Sequence, residues 1–446
     1  MDNSRRDFIK KSALGAAGFT IAGMGMSAKS YASIKGANDR LNVAIIGLGR
    51  RLGAFYEPVS LASSNVRLVY LCDVMENQRT RAANAFSKHI SNKPKLENDM
   101  RRVLKDKDVD CVIIATPDHW QAPGTFLSVE SGKHVYVEKP GSHNPREGEL
   151  MADYRQKYGK IIQLGNQQRS AIESIEIIRE IHNGVIGTPY KAVAFYSNSR
   201  GEVPVPVDAP VPAGLDWDLF QGPSPRKKYQ HDTWDYNWHW YGWDFGTGEM
   251  GNNAIHELDI ARWALQVEHP ERVSVEADKR HYLNDGWTMY DTMMATYIYP
   301  GNKVIQWDGK SRNGYNTYGS DRGTVIFGTD GSAFINREGY KLYDRSGKLV
   351  KSRLGNGTEG GTALGGGGDV STTHVVNFFD GIRGKATLNS PIEEMMKSTH
   401  LCHLANIASR INKDLVIDPN TGRSADSDVL KLWRRAYQPG WEPKML

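Results

Sequence analysis

The chain has 446 residues, 39% of them apolar and 10% aromatic, with a formal net charge of +5. That length carries a soft expectation of two or three domains with a large core, and the apolar content excludes an intrinsically disordered chain. No stretch reaches the roughly 20 apolar residues of a membrane-spanning helix, and Cys72, Cys111 and Cys402 read as buried packing residues with no disulfide framework.

The chain opens with Ser4-Arg5-Arg6-Asp7-Phe8-Ile9-Lys10, the pattern of a twin-arginine export signal, followed by a short Ala- and Gly-rich segment over 13–26. Residues 1–32 are therefore expected to be a removable signal peptide and the protein periplasmic or otherwise exported. They hold five basic residues against Asp2 and Asp7, a net of +3, which leaves 51 basic and 49 acidic residues beyond them. With no basic run to track phosphates, nucleic acid is not expected as a partner.

A strand over 41–46 runs into Gly47-Leu48-Gly49-Arg50-Arg51-Leu52-Gly53 and a helix. Glycines there let the backbone turn and approach a pyrophosphate, and a helix N-terminus presents free N–H groups. The third glycine falls at Gly53, where strict spacing has Leu52. A second strand over 66–71 ends in Asp73, whose carboxylate suits ribose hydroxyls and repels a 2′-phosphate, so NAD is favoured over NADP, with Arg79 and Arg81 as the opposing signal. Strands over 110–115, 134–137 and 161–164, with a helix over 122–131, complete the alternation of a parallel sheet. The expected nucleotide domain is 33–170.

Past residue 187 the pattern changes to strands over 189–197, 272–277, 292–299, 304–307, 323–335 and 340–350, most of them without helices between. The fold class expected is α/β: an N-terminal Rossmann domain plus an α+β domain over 171–446 with a large open, mostly antiparallel sheet, whose last helix returns to the first domain. Pro- and Val-rich 202–212 and Gly-rich 355–368 read as surface loops, the second either a lid or a tip.

Glu138-Lys139-Pro140 stands at the C-terminal edge of the parallel sheet, where ligands bind. Oxidising an alcohol removes hydride from carbon and a proton from oxygen, so Lys139 is a candidate acid/base if burial or a nearby positive charge lowers its pKa. Pro140 is expected to fix the turn that aims it, a cis bond being one way. His256, where 251–253 gives way to a helix over 255–265, is expected to be held neutral by a helix N-terminus. His256, Glu257 and Asp259 do not make a metal-ligand set. Between Trp234 and Trp243, aromatic rings alternate with Asp235, Asn237 and His239; this suits a sugar, Trp238 stacking and His239 bonding, or equally a loop packed on the sheet. Asn166, Gln168 and Arg169 follow the last Rossmann strand and are placed for substrate or cofactor contact.

The glycine loop, Ala115-Thr116-Pro117-Asp118-His119-Trp120, Glu138-Lys139-Pro140 and Gly251-Asn252-Asn253-Ala254-Ile255-His256-Glu257-Leu258-Asp259 together resemble the Gfo/Idh/MocA oxidoreductase family over about 41–446. The resemblance implies Lys139 and His256 as catalytic residues. It implies cofactor contacts from Gly47, Leu48, Gly49, Arg50, Arg51, Asp73, Thr116, Pro117, Asp118, His119, Glu138, Lys139 and Gln168. The substrate set is then Lys139, Asn166, Arg169, Trp238, His239, Asn252 and His256. Two positions depart from the family: Asn252 stands where an Asp is common, and Gln121 where a His is common. A homo-oligomer through the C-terminal sheet is also implied. The expected activity is NAD-dependent oxidation of a secondary hydroxyl of a sugar or glycoside, with a bound, recycled cofactor. The alternatives are an NAD-dependent glycosidase that oxidises C3 transiently and eliminates the aglycone, and a non-catalytic sugar-binding protein.

Overall fold

The computed structural model describes residues 39–354 and 369–445. The export motif and the Gly-rich segment lie outside the described residues. Six parallel strands, β1 (Leu41–Ile46), β2 (Val66–Cys72), β3 (Lys95–Glu97), β4 (Cys111–Ile114), β5 (His134–Glu138) and β6 (Ile162–Gly165), lie in the order β3-β2-β1-β4-β5-β6. All four residues of β4 are buried, as in a strand covered on both faces. The order reverses between β1 and β4, so the crevice beyond their C-terminal ends is the place for a ligand.

The helices α1 (Glu76–Phe86), α2 (Asp118–Glu130) and α3 (Pro145–Tyr158) make crossovers. Helix α2 starts four residues before the predicted 122, because Pro117 leads the chain in and Asp118 complements the N-terminal dipole, ahead of the first apolar repeat. After Gly49 the expected regular helix is instead a tight 3₁₀ run, Arg50–Phe55, and one short helix, Tyr56–Ser60. Leu52 is buried in the core beside Phe55, where a glycine would have let helix and strand close together.

The second sheet comprises β7 (Pro189–Ser199), β8 (Arg272–Asp278), β9 (Thr292–Tyr299), β10 (Lys303–Lys310), the short β11 (Arg312–Asn313), β12 (Arg322–Gly328), β13 (Gly331–Asn336), β14 (Gly339–Asp344), β15 (Leu349–Leu354) and β16 (Leu415–Val416). Its order is β15-β14-β13-β12-β7-β10-β9-β8-β16, with β11 on β7, and only the β7–β10 pairing is parallel. Along β9, Met293, Ala295, Tyr297 and Tyr299 are buried and alternate with more exposed neighbours, the period of a sheet with one face on the core. The predicted stretches 323–335 and 340–350 each fold as two strands. The first turns at Thr329 and Asp330; the second turns where the Asp344 carboxylate accepts from the N–H groups of Ser346 and Lys348.

Helix α4 (Ile255–Leu265) packs its buried face on this sheet, with Ile260 and Ala264 in one cluster with Tyr297, Trp307 and Ile326. Helix α5 (Asp369–Ile382) returns to the first domain: Phe378 and Phe379 are fully buried beside Phe55 and Tyr136. At roughly 1.5–3 kcal/mol for each large side chain removed from water, these residues anchor the return far more strongly than one surface ion pair. Helix α6 (Ile392–Ile411) bridges both cores, with Met395 in the first and Leu404 in the second. Among the described residues no helix is long and apolar enough to cross a membrane, and all three cysteines are free and buried.

Candidate active site

A cleft of about 1350 Å³ opens at the switch point, walled by the glycine loop, the ends of β2, β4 and β5, and the aromatic segment around 234–239. Gly47 has φ +88°, and a Cβ there would lie 2.6 Å from the Ala115 carbonyl oxygen, so only glycine lets β1 exit this close to β4. At Gly49 a Cβ would meet nothing within 4 Å, because the position faces the open cleft. Asp73 lines the cleft and anchors the loop, accepting from Leu48 N–H at 2.7 Å and Met75 N–H at 2.8 Å; burial raises its pKa. Arg79 and Arg81 donate to backbone carbonyls, of Asp73 at 2.6 Å and Leu48 at 2.5 Å, which occupies the guanidiniums that would otherwise favour a 2′-phosphate. Thr116 Oγ1 is buried at the cleft wall without a partner. An open backbone at Gly49, an acidic ribose-side residue and an orphaned hydroxyl fit a dinucleotide.

The Lys139–Pro140 peptide is cis, and Lys139 Nζ donates to the backbone oxygen of Asn252 at 2.6 Å and to its Oδ1 at 3.2 Å. Burial lowers the Lys139 pKa to about 8 against the pull of Asp118 and Glu138. Asp118 is itself pushed up to about 6 by burial, while Thr247 donates to its Oδ2 from both N–H and Oγ1. Gln121 braces the motif: its amide nitrogen donates to the carbonyls of Thr116 and Lys139, and its oxygen accepts from Gly141 N–H at 2.7 Å. Glu138 accepts from Arg51 Nε at 3.0 Å, so the arginine bridges the glycine loop and the lysine turn.

His256 sits on a longer chain of bonds. Its Nδ1 is 2.7 Å from Asn166 Oδ1, and Asn166 Nδ2 donates to Asp259 Oδ2 at 2.9 Å. A carboxylate only accepts, so the amide must show its NH2 to Asp259 and its oxygen to His256. Nδ1 therefore carries the proton and Nε2 a lone pair. The expected reason for neutrality does not hold, because a wider π-type turn over Met250–Ala254 leads directly into α4, leaving His256 inside a continuous helix. Burial, with Arg337, Lys139 and Arg322 nearby, holds its pKa well below the ordinary value.

Lys139, Asn252, Trp238 and His239 meet at the cleft together with Arg50, Thr116, Pro117 and Asp118. His239 presents Nδ1 to the Tyr236 carbonyl at 2.9 Å and stacks on Trp238. The aromatic segment divides: Trp234, Tyr236 and Trp238 face the cleft, whereas Trp240 stacks on the buried Trp287 at 3.9 Å. His119, Leu48, Asn166, Gln168, Arg169 and His256 do not line the cleft; His256 and Asn166 stand behind its wall, bonded to each other. His119 is fully buried against Phe245, with Nε2 2.8 Å from the Phe220 carbonyl oxygen. Leu48 is buried, Gln168 donates to the Asn336 carbonyl, and Arg169 forms a bidentate pair with Asp259 at 2.7 and 2.8 Å.

Glu249 escaped the sequence reading. Buried, it accepts from Asn252 Nδ2 and Asn253 Nδ2 at 3.0 Å each and from Ser311 Oγ at 2.7 Å. The negative charge missing from Asn252 is thus supplied from behind, and the amide carries the contact from Lys139 to Glu249. Glutamate three residues ahead on a helical path was the available signal.

Residues 41–166 match the oxidoreductase family model for the NAD-binding Rossmann fold, and residues 176–336 match the C-terminal alpha/beta domain of the same family. The chain belongs to the Gfo/Idh/MocA oxidoreductase family. A glycosyl hydrolase family 109 protein of Saccharopolyspora erythraea is 32% identical over 201 residues, 41% of this Gfo/Idh/MocA chain and 43% of that protein, so the match spans less than half of that relative. The scyllo-inositol 2-dehydrogenase (NAD(+)) of Bacillus subtilis is 25% identical over 303 residues, 66% of this chain and 74% of that one. The solved structure of levoglucosan dehydrogenase in complex with NADH and L-sorbose superposes with a TM-score of 0.64 at 17% identity over 85% of this chain and 99% of that one, a likeness of fold. Within the family frame, the cleft is the cofactor side of the Rossmann domain and the cofactor is NAD.

Proposed function

We propose that the protein is an exported, NAD-dependent oxidoreductase acting on a secondary hydroxyl of a sugar or glycoside. The observation that carries the reading is Lys139, half-buried at the cleft with its pKa brought to about 8 and both contacts made to one residue, Asn252. Bound NAD supplies the hydride acceptor. The neutral Lys139 amine points two N–H bonds at Asn252 and keeps its lone pair for the hydroxyl proton, while His256, protonated at Nδ1, lies behind the cleft wall. Trp238 and His239 give the wall an apolar ring face and a polar edge, the pairing that suits a sugar.

Export of a folded protein carries a cofactor loaded beforehand, so each oxidation is matched by a reduction on the same nicotinamide. In purified protein, a panel of sugars and glycosides is expected to bleach or restore the reduced-nicotinamide band without added NAD. A steady state that requires free NAD overturns the retained cofactor, and a panel with no response overturns the activity. Fractionation of the producing cells tests export. Self-association through the second sheet belongs to this reading; Met294, opposite in direction to the buried Met293, is 57% exposed on its outer face. The likeness to a glycosyl hydrolase family 109 protein favours a second reading, oxidation-assisted elimination, and release of aglycone in place of a stable ketosugar identifies it.

Asn252→Asp sets a carboxylate beside Lys139 and stabilises its charged form. The rate of sugar oxidation is then expected to reach half-maximum about 1 pH unit or more higher, as read from a pH–rate profile.

A further inference from the structure

The chain between β7 and α4, residues 200–254, leaves its own sheet and crosses the nucleotide crevice. On one side Asp216 N–H donates to the Val74 carbonyl at 3.0 Å and Glu76 N–H to the Gly214 carbonyl at 2.9 Å, with Met75 and Leu215 bridged between them. Val74, Met75 and Glu76 come directly after Asp73, so this seam lies at the ribose side. The second seam is at the start of α2, where His119 N–H donates to the Phe245 carbonyl at 3.1 Å and Trp120 Nε1 to the Phe220 carbonyl at 2.9 Å. Gly222 sits so close there that a Cβ would lie 2.1 Å from the Trp120 ring. Strands β2 and β4 flank β1, so a segment sewn beside the ends of both spans the switch point. Leu219, Phe220, Trp234 and Trp238 accordingly line the cleft.

Both seams are buried, with Met75, Leu215, Phe220, Tyr229 and Phe245 in one cluster. The stretch between Tyr229 and Phe245 is fastened differently. Among the described residues, 232–239 is hydrogen-bonded to the first domain through a single solvent-facing pair. Arg50 Nη2 donates to Asp235 Oδ2 at 3.0 Å, the side chains being 45% and 46% exposed, and the guanidinium lies 4.3 Å over the Tyr236 ring. Arg50 directly follows Gly49, whose open backbone is the seat for a pyrophosphate. An exposed ion pair and an exposed cation–π contact are each weak, and the first is screened by salt, so this edge opens far more readily than either seam. A carboxylate near a pyrophosphate repels it, so what Asp235 contributes at this edge is its hold on Arg50.

We infer that residues 232–239 form a flap, tethered at both ends by the buried seams and clasped to the glycine loop by Arg50, Asp235 and Tyr236, and that opening this clasp sets the rate at which NAD leaves. The inference rests on the reading of a retained cofactor and names the contact that retains it.

The test is release of NADH from the loaded protein, followed by nicotinamide fluorescence after mixing with excess NAD, which needs no turnover. Asp235→Asn is expected to release NADH about 3- to 30-fold faster, the range of one exposed ion pair and one cation–π contact. Asp235→Glu, which keeps the charge, should stay within about threefold of the unaltered protein, and release as fast as from Asp235→Asn overturns the ion pair. Release from the unaltered protein should quicken between roughly 50 and 500 mM salt, and Asp235→Asn should lose most of that dependence. The salt series on the unaltered protein depends on no variant folding, and a flat profile overturns the clasp. So does unchanged or slower release from Asp235→Asn, the result for a carboxylate that merely repels the pyrophosphate. Faster release that keeps its full salt dependence overturns it as well, because salt then acts elsewhere. Release faster than turnover from the unaltered protein overturns the retained cofactor, and further acceleration in Asp235→Asn leaves the clasp standing.

Discussion

Lys139→Met is expected to lower the rate of sugar oxidation by about 10²- to 10⁴-fold, the usual contribution of a positioned acid/base. Methionine keeps the apolar stem in its buried place and removes only the amine. In the unaltered protein the oxidation rate should rise with pH through about 8, where Lys139 loses its proton. The sign follows from the direction of the reaction: oxidation needs a free, unprotonated lone pair on Nζ, so the rate climbs as the amine deprotonates, and reduction, which needs the proton back, falls over the same range. The residual rate of Lys139→Met should lack that limb. Single-turnover absorbance of the bound nicotinamide across pH measures both. If His256 takes the proton instead, the limb lies well below pH 6.5 and Lys139→Met keeps most of its rate, since burial and the surrounding cations hold that imidazole neutral.

The elements that position this chemistry were readable wherever the chain repeats a local pattern. The β1 strand, the glycine loop and Asp73 follow from apolar periodicity and from what a turn requires at Gly47. Lys139 followed from its place at a strand end. Less readable were residues whose meaning depends on a partner far along the chain. Arg169 lies just past a Rossmann strand and reads as a ligand contact, yet its guanidinium is closed by Asp259, 90 residues away. His119 carries a ligand-type side chain but turns to the Phe220 carbonyl, 101 residues on. Trp238 and Trp240 are two residues apart, and only the position of Trp287 decides that one is core and the other wall.

Asp259 is expected to be the residue whose loss costs the fold most. Four donors converge on its fully buried carboxylate: Asn166 Nδ2, Arg169 Nε, Arg169 Nη2 and Ser398 Oγ, at 2.6 to 2.9 Å. Asp259→Ala leaves the Arg169 charge buried and unpaired, so a loss of about 3–5 kcal/mol is expected in chemical denaturation. Asp259→Asn keeps the volume and one acceptor and should fold well enough for kinetics. Burial alone would raise the Asp259 pKa, but Arg169, Arg262 and Ser398 hold it below the ordinary carboxylate value. Its contribution is therefore complete above the unfolded pKa of about 3.9 and is lost as pH falls through the folded value. The stability difference between the unaltered protein and Asp259→Asn should accordingly shrink in acid. The same substitution tests the proton map of the site. An asparagine at 259 turns an NH2 toward Arg169 or toward Asn166; in the second case Asn166 flips and offers its own NH2 to His256 Nδ1. The imidazole then moves its proton to Nε2 and the acceptor is gone, so any share His256 has in removing the hydroxyl proton falls with it, while the limb near pH 8 that belongs to Lys139 stays where it was.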